Sequence, residues 1–153
     1  MNHVDDQVFA LQLRNGSDLP ESEVVLHGSP TQKTLPGSFL EAVLDTGDGF
    51  LVFTSDDTPY EEQLGIHLTD SSGALLESLS IGGAYRTGAF RALRIVAPAT
   101  VAFRFTGETV WKVQVLQLPR FRIPFLGDPS GVCRPIGFRS RLVIQGQPKI
   151  ESG

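Results

Sequence analysis

The chain has 153 residues, of which 41% are hydrophobic and 20% charged, with a net charge of −4. Those proportions describe a single folded domain, 1–153, with enough apolar residues to fill a core, and they exclude a disordered chain. It contains no apolar run long enough to span a membrane as a helix, no leader-like pattern in MNHVDDQVF, and a single cysteine, Cys133; these predict no membrane association, no internal disulfide and a reducing, cytoplasmic home.

In chain order, residues 7–14, QVFALQLR, place Phe9, Leu11 and Leu13 on one face with period two, as a strand does. The Asn15-Gly16-Ser17 stretch that follows reads as a turn. A short strand fits 23–27, between Pro20 and Gly28. Residues 38–44, SFLEAVL, and 49–55, GFLVFTS, flank the hairpin turn Asp45-Thr46-Gly47-Asp48. Residues 64–70 and 74–80 flank a second turn at Ser71-Ser72-Gly73. Residues 89–96 lead into a hairpin of 100–106 and 109–118, and a last strand fits 138–145. Short strands with turn signals every 8–14 residues are the rhythm of an antiparallel β-sandwich of about eight or nine strands, with a Greek-key or jelly-roll path. A β-barrel is the alternative. The one long irregular segment, 119–137, reads as a strap over a sheet edge or toward a neighbouring subunit.

The hairpin VAFRFTGETVWKVQV, residues 101–115, poses a question of register. A two-residue turn at Gly107-Glu108 pairs Arg104 with Trp111 and mixes polar and apolar residues on both faces. A three-residue turn pairs Phe103 with Trp111 and Val101 with Val113. It gathers Val101, Phe103, Phe105, Trp111, Val113 and Val115 on one face. An unsuitable turn residue costs about 1 kcal/mol, whereas each large side chain moved from water to core gains roughly 1.5–3 kcal/mol. The odd register, with Trp111 inward, is therefore expected. An outward Trp111 stacked on Arg104 would instead offer a ligand platform.

Charge is unevenly distributed along the chain. Residues 1–80 hold fourteen acids and two bases, a net of −12, and residues 81–153 hold eleven bases and three acids, a net of +8. Either early and late strands neutralise each other across the sheets, or the molecule presents one acidic and one basic face that favour association.

Chemical motifs are sparse. Asp56, Asp57, Glu61 and Glu62 surround Pro59-Tyr60, while Asp45, Asp48 and Asp70 occupy two turns that strand geometry brings to one end. DTGDGF does not match an EF-hand loop, so these read as solvated turn acids and no metal is assigned. His3, His27 and His67 have no second ligand at metal spacing. Cys133, in SGVCRP, matches no nucleophile motif, and neither a G-x-S-x-G elbow nor a phosphate loop is present. No catalytic residue or cofactor is assigned.

Residues 119–141 interleave Arg120, Arg122, Arg134, Arg139 and Arg141 with Phe121, Phe125 and Phe138. Such a pattern can bind single-stranded nucleic acid, but a pI near 5.3 argues against it. An amphipathic strap with Phe inward and Arg outward is the preferred expectation. The sequence therefore points to a non-enzymatic interaction or structural module, self-associating or binding a protein partner through complementary charge. Asp56, Asp57, Glu61 and Glu62 on one side and Arg120, Phe121, Arg122, Phe125, Arg139 and Arg141 on the other are its candidate contacts. The alternative is a small-ligand or carbohydrate-binding β-sandwich module, with Trp111, Tyr60 or Tyr85 as a sugar platform.

Overall fold

The computed structural model describes residues 1–14, 19–56, 63–82, 88–105, 107–124 and 126–146. The chain opens with β1 (Asn2–His3), β2 (Phe9–Leu13), β3 (Glu21–Leu26) and β4 (Ser29–Pro36). It continues through β5 (Phe39–Asp45), β6 (Gly49–Ser55), β7 (Gln63–Asp70) and β8 (Leu75–Gly82). The last strands are β9 (Arg91–Ala97), β10 (Thr100–Arg104), β11 (Val110–Phe121), β12 (Val132–Cys133) and β13 (Arg139–Gln145). No helix occurs among the described residues, so none there is long and apolar enough to cross a membrane.

The strands form three antiparallel sheets ordered β1-β5-β6-β7-β8-β12, β13-β11-β10-β9 and β2-β3-β4. None closes on itself, which sets the barrel aside. Their number exceeds the expected eight or nine. Two of the additional strands, β1 and β12, are two-residue edge pairings. β4 carries Pro30 and Pro36 and escapes a propensity reading, yet it lies at a sheet edge, where proline is tolerated.

The six-stranded sheet is the middle layer. One face meets the four-stranded sheet: Leu44, Leu51, Phe53, Leu64, Ile66, Leu68, Leu79 and Ile81 pack against Val101, Phe103, Phe105, Trp111, Val113, Val115, Leu142 and Ile144. The other face meets the three-stranded sheet through a smaller core of Phe9, Val24, Leu35, Val43, Phe50 and Val52. This second cover explains β6, GFLVFTS, which is buried at six consecutive positions. A strand exposed on one face alternates, whereas one covered on both reads as a continuous apolar run.

The hairpin register resolves as the packing argument requires. Phe103 pairs with Trp111 and Val101 with Val113. Trp111 is 1% exposed, and Val101, Phe103, Phe105, Val113 and Val115 are buried with it. Gly107 takes φ +55°, and Arg104 on the opposite face pairs with Glu108 at 3.1 Å.

Candidate functional site

Three places hold polar or exposed groups that the core does not explain. The first lies inside the molecule. Gly65, His67 and Thr69 alternate away from Leu64, Ile66 and Leu68, which puts His67 on the face toward the three-stranded sheet. Its Nε2 lies 2.9 Å from Thr54 Oγ1, and its Nδ1 lies 2.5 Å from Ser78 Oγ. The Thr54 hydroxyl spends its one proton on the Pro36 carbonyl at 3.0 Å. It must therefore accept from Nε2–H, which leaves Nδ1 bare to accept from Ser78. Gly37 and Gly65 keep this space open. A Cβ at Gly65 would come within 2.6 Å of both the His67 Nε2 and the Thr54 hydroxyl, and one at Gly37 within 2.5 Å of the same hydroxyl.

Burial lowers the His67 pKa to about 4. A serine donating to imidazole resembles a nucleophile and its base, but this imidazole is too weak a base to activate Ser78 near neutral pH. Its second nitrogen is spent on a threonine rather than on a carboxylate that would stabilise the imidazolium. The Ser78–His67–Thr54 line acts as a satisfied polar bridge across β6, β7 and β8. The sequence offered only His67, because its partners lie 11 and 13 residues away on other strands.

The second place is the strap. β12 pairs with β8, Val132 opposite Ile81 and Cys133 opposite Ser80, and so covers that edge of the six-stranded sheet. What holds the strap reverses the expected orientation. Phe121 and Phe138 are exposed, and Phe125 lies outside the described residues. Arg122, Arg134 and Arg141 turn inward instead, while Arg120 and Arg139 stay exposed. Arg134, whose side chain is 8% exposed, grips both Asp128 carboxylate oxygens at 3.0 and 2.7 Å. It also donates to Ser140 Oγ at 2.9 Å and to the Leu142 carbonyl at 3.1 Å. Arg122 adds a 3.2 Å bond to Asp128. A guanidinium satisfied on several sides can be enclosed at little cost, and here it ties the strap to the edge of β13. From β8, the Glu77 carboxylate accepts the backbone N–H groups of Leu142 at 2.6 Å and Arg141 at 3.2 Å, joining the two sheet edges.

The candidate contact residues therefore divide. Arg122 is taken up by Asp128, and Arg141 by Asp48 at 3.0 Å and by the Leu116 carbonyl at 2.7 Å. Arg120, Phe121 and Arg139 are exposed. Asp56 is half-buried at the end of β6, and burial raises its pKa against a weaker opposing bond from the Ser38 N–H. Asp57, Glu61 and Glu62 lie outside the described residues, as do Tyr60 and Tyr85. Trp111 is enclosed and offers no platform for a sugar.

Asp45, Asp48 and Asp70 do gather at one end, since Asp45 pairs with Phe50 and Asp70 with Gly49. Each serves its own neighbourhood. Asp45 accepts from the Gly47 N–H, Asp48 from Thr46 and Arg141, and Asp70 from Ser72 and Ala74. The Ser72 hydroxyl is the chief reason the Asp70 carboxyl is held below its ordinary range. No group of three or more metal-ligating side chains occurs among the described residues.

The third place is the outer face of the four-stranded sheet. Ala102 lies opposite Arg94 and Lys112, and Arg104 opposite Arg91. Four cations therefore share the face that looks away from the core, and Arg91, Arg94 and Arg104 line a cleft of about 290 Å³. At the far side of the stack, Glu21 and Glu23 alternate outward from the buried Ser22 and Val24. Of the five ion pairs among the described residues, only Arg141–Asp48 joins the acidic first half of the chain to the basic second half. Comparison with protein-family models, with curated proteins and with solved structures finds no match to this chain.

Proposed function

We propose that this protein is a non-enzymatic interaction module that associates with copies of itself through complementary acidic and basic surfaces, in a reducing, cytoplasmic setting. The observation that carries the reading is the segregation of charge by layer. Residues up to 82 build the three-stranded sheet and all of the six-stranded sheet except β12, and they hold the acidic excess. Residues from 91 onward build the four-stranded sheet and the strap, with the basic excess. With one ion pair between the halves among the described residues, the charge of the two layers is little neutralised there and is left to meet a partner. Opposed potentials on one molecule favour its encounter with another copy. Arg120, Phe121 and Arg139 supply one side of the contact, and the acidic turns supply the other.

Sedimentation velocity at low and high salt tests the reading. Association that weakens as salt rises is the expected result. A native chain that stays monomeric at every concentration and ionic strength refutes it.

A further inference from the structure

β11 and β13 run on past the sandwich as a two-stranded arm. After a register shift they pair again at Arg120–Ser140 and Phe121–Arg139. Five consecutive residues of β11, Gln117 to Phe121, are exposed, while on β13 Ser140 is buried beneath Arg134 of the strap. The apolar side chains of this region point outward. Leu118, Phe121, Ile123, Leu126, Ile136 and Phe138 are each 56 to 78% exposed. Together they present the equivalent of about four whole side chains, roughly 700 Å² at the usual area of a large side chain. Large apolar side chains left exposed in such number around one segment mark a surface used for contact.

The arm also carries charge that its own molecule leaves unanswered. Arg120 and Arg139 are exposed and make no ion pair among the described residues. The arm's root lies beside acids, because Arg141 bridges the Leu116 carbonyl and Asp48. Asp45 and Asp70 flank that turn, with Asp45 exposed. One end of the sandwich thus holds an apolar centre, two available cations and exposed carboxylates. We propose that this end is a two-fold interface between two copies of the chain, arm against arm, with Arg120 and Arg139 of each copy facing the acidic turns of the other. The proposal rests on the self-association reading above and names its surface.

The other acidic region gives a different assembly. Asp56 stands at the opposite end of β6 from Asp48, so an arm docked there would join copies head to tail and extend into rings or filaments. Phe39, opposite Ser55, is the large exposed apolar side chain at that end of the β5–β6 pair. There the arm would meet the half-buried Asp56 and a single exposed Phe39 rather than a matching apolar surface. Two arms meeting across a two-fold axis match apolar to apolar and cation to carboxylate, and the contact closes.

The test is sedimentation velocity of the full chain over a wide concentration range, comparing the native protein with Phe121→Ser/Phe138→Ser and with Arg120→Glu/Arg139→Glu. All four positions are exposed, and circular dichroism checks that each variant keeps the fold. A native dimer is expected, with at least a tenfold weaker dissociation constant in the phenylalanine variant and a smaller, salt-dependent loss in the arginine variant. If the phenylalanine variant associates as the native chain does, the interface lies elsewhere and only the self-association reading survives. Native species that grow beyond dimers with concentration mean head-to-tail contact and overturn the two-fold. A native monomer overturns both. If such a monomer binds phosphatidylserine vesicles and the phenylalanine variant does not, the occupant is a lipid surface rather than a second copy.

Discussion

Acid should loosen this protein through His67. In the folded chain the buried imidazole takes its proton only near pH 4, against 6.5 when unfolded. Between those values the unfolded state binds more protons, so stability is fully present above pH 6.5 and falls as pH drops toward 4. At 1.36 kcal/mol per pKa unit, the loss is about 2 kcal/mol by pH 5 and about 3 by pH 4. For a chain of this size that lowers Tm by roughly 4–8 °C at pH 5. Asp70, Asp48 and Glu23, whose carboxyls are held low, cost stability only as pH falls through their ordinary values of 3.8 to 4.5, beneath the pH 7 to 5 span of the assay. Asp56, held high by burial, works in the opposite direction as it protonates. The assay is thermal unfolding from pH 7 to 5 in the native chain and in His67→Gln. Glutamine can donate to Thr54 and accept from Ser78 but does not titrate. The expected result is an acid-dependent fall in Tm that the variant lacks. A native Tm that holds steady over this range, or an equal slope in the variant, would refute the argument.

Three further substitutions probe the joints of the fold. Glu77→Ala removes the acceptor of two backbone N–H groups on β13 and should cost about 3 kcal/mol in urea unfolding, with Glu77→Gln costing less. Gly146→Ala places a Cβ 2.5 Å from the Trp111 ring. It should destabilise by about 1–3 kcal/mol and shift the emission of the chain's single tryptophan to the red. Asp128→Ala leaves the enclosed Arg134 without its carboxylate. A loss of about 3 kcal/mol is expected, with proteolytic cleavage in 122–131 preceding global unfolding.

Where local patterning carries the information, the sequence was a sufficient guide. The odd register of the Trp111 hairpin follows from counting which side chains one face must bury, and no distant residue is needed to decide it. The third sheet was harder. β3 and β4 have no cue that they cover the far side of another sheet, although β6, with no polar position from Phe50 to Phe53, does require cover on both faces. The strap's orientation is not legible in the same way, because R-F-R alternates equally well in either sense. What decides it is distant. Arg134 meets Asp128 six residues before it, and the edge of β13 meets Glu77, 64 and 65 residues earlier. An arginine turns inward only where a carboxylate and free carbonyls await it, and spacing along the chain does not reveal that. Of the candidate contacts, exposure leaves Arg120, Phe121 and Arg139 available, while internal bonds occupy Arg122 and Arg141.

The charge polarity of the molecule is a consequence of topology as much as of composition. β2 to β4, β5 to β8 and β9 to β11 each stay within one sheet, so neighbours in sequence remain neighbours in space. A block of acids in the first half of the chain therefore becomes a block of acids in two layers, and the later bases become a third. Had consecutive strands crossed between sheets, the same residues would have been interleaved and largely neutralised. The exceptions fit this account. Arg141 and Glu77 cross between the halves where β13 lies against the β8 edge and the Asp48 turn, which is where the sandwich needs closing. The strap, though it leaves the four-stranded sheet to pair with β8, brings its own counter-charge in Asp128. Closing the sandwich thus consumes Arg122, Arg134 and Arg141 and leaves Arg120 and Arg139 on the arm. The division between arginines that hold the fold and arginines available to a partner is drawn by where the sheet edges run out.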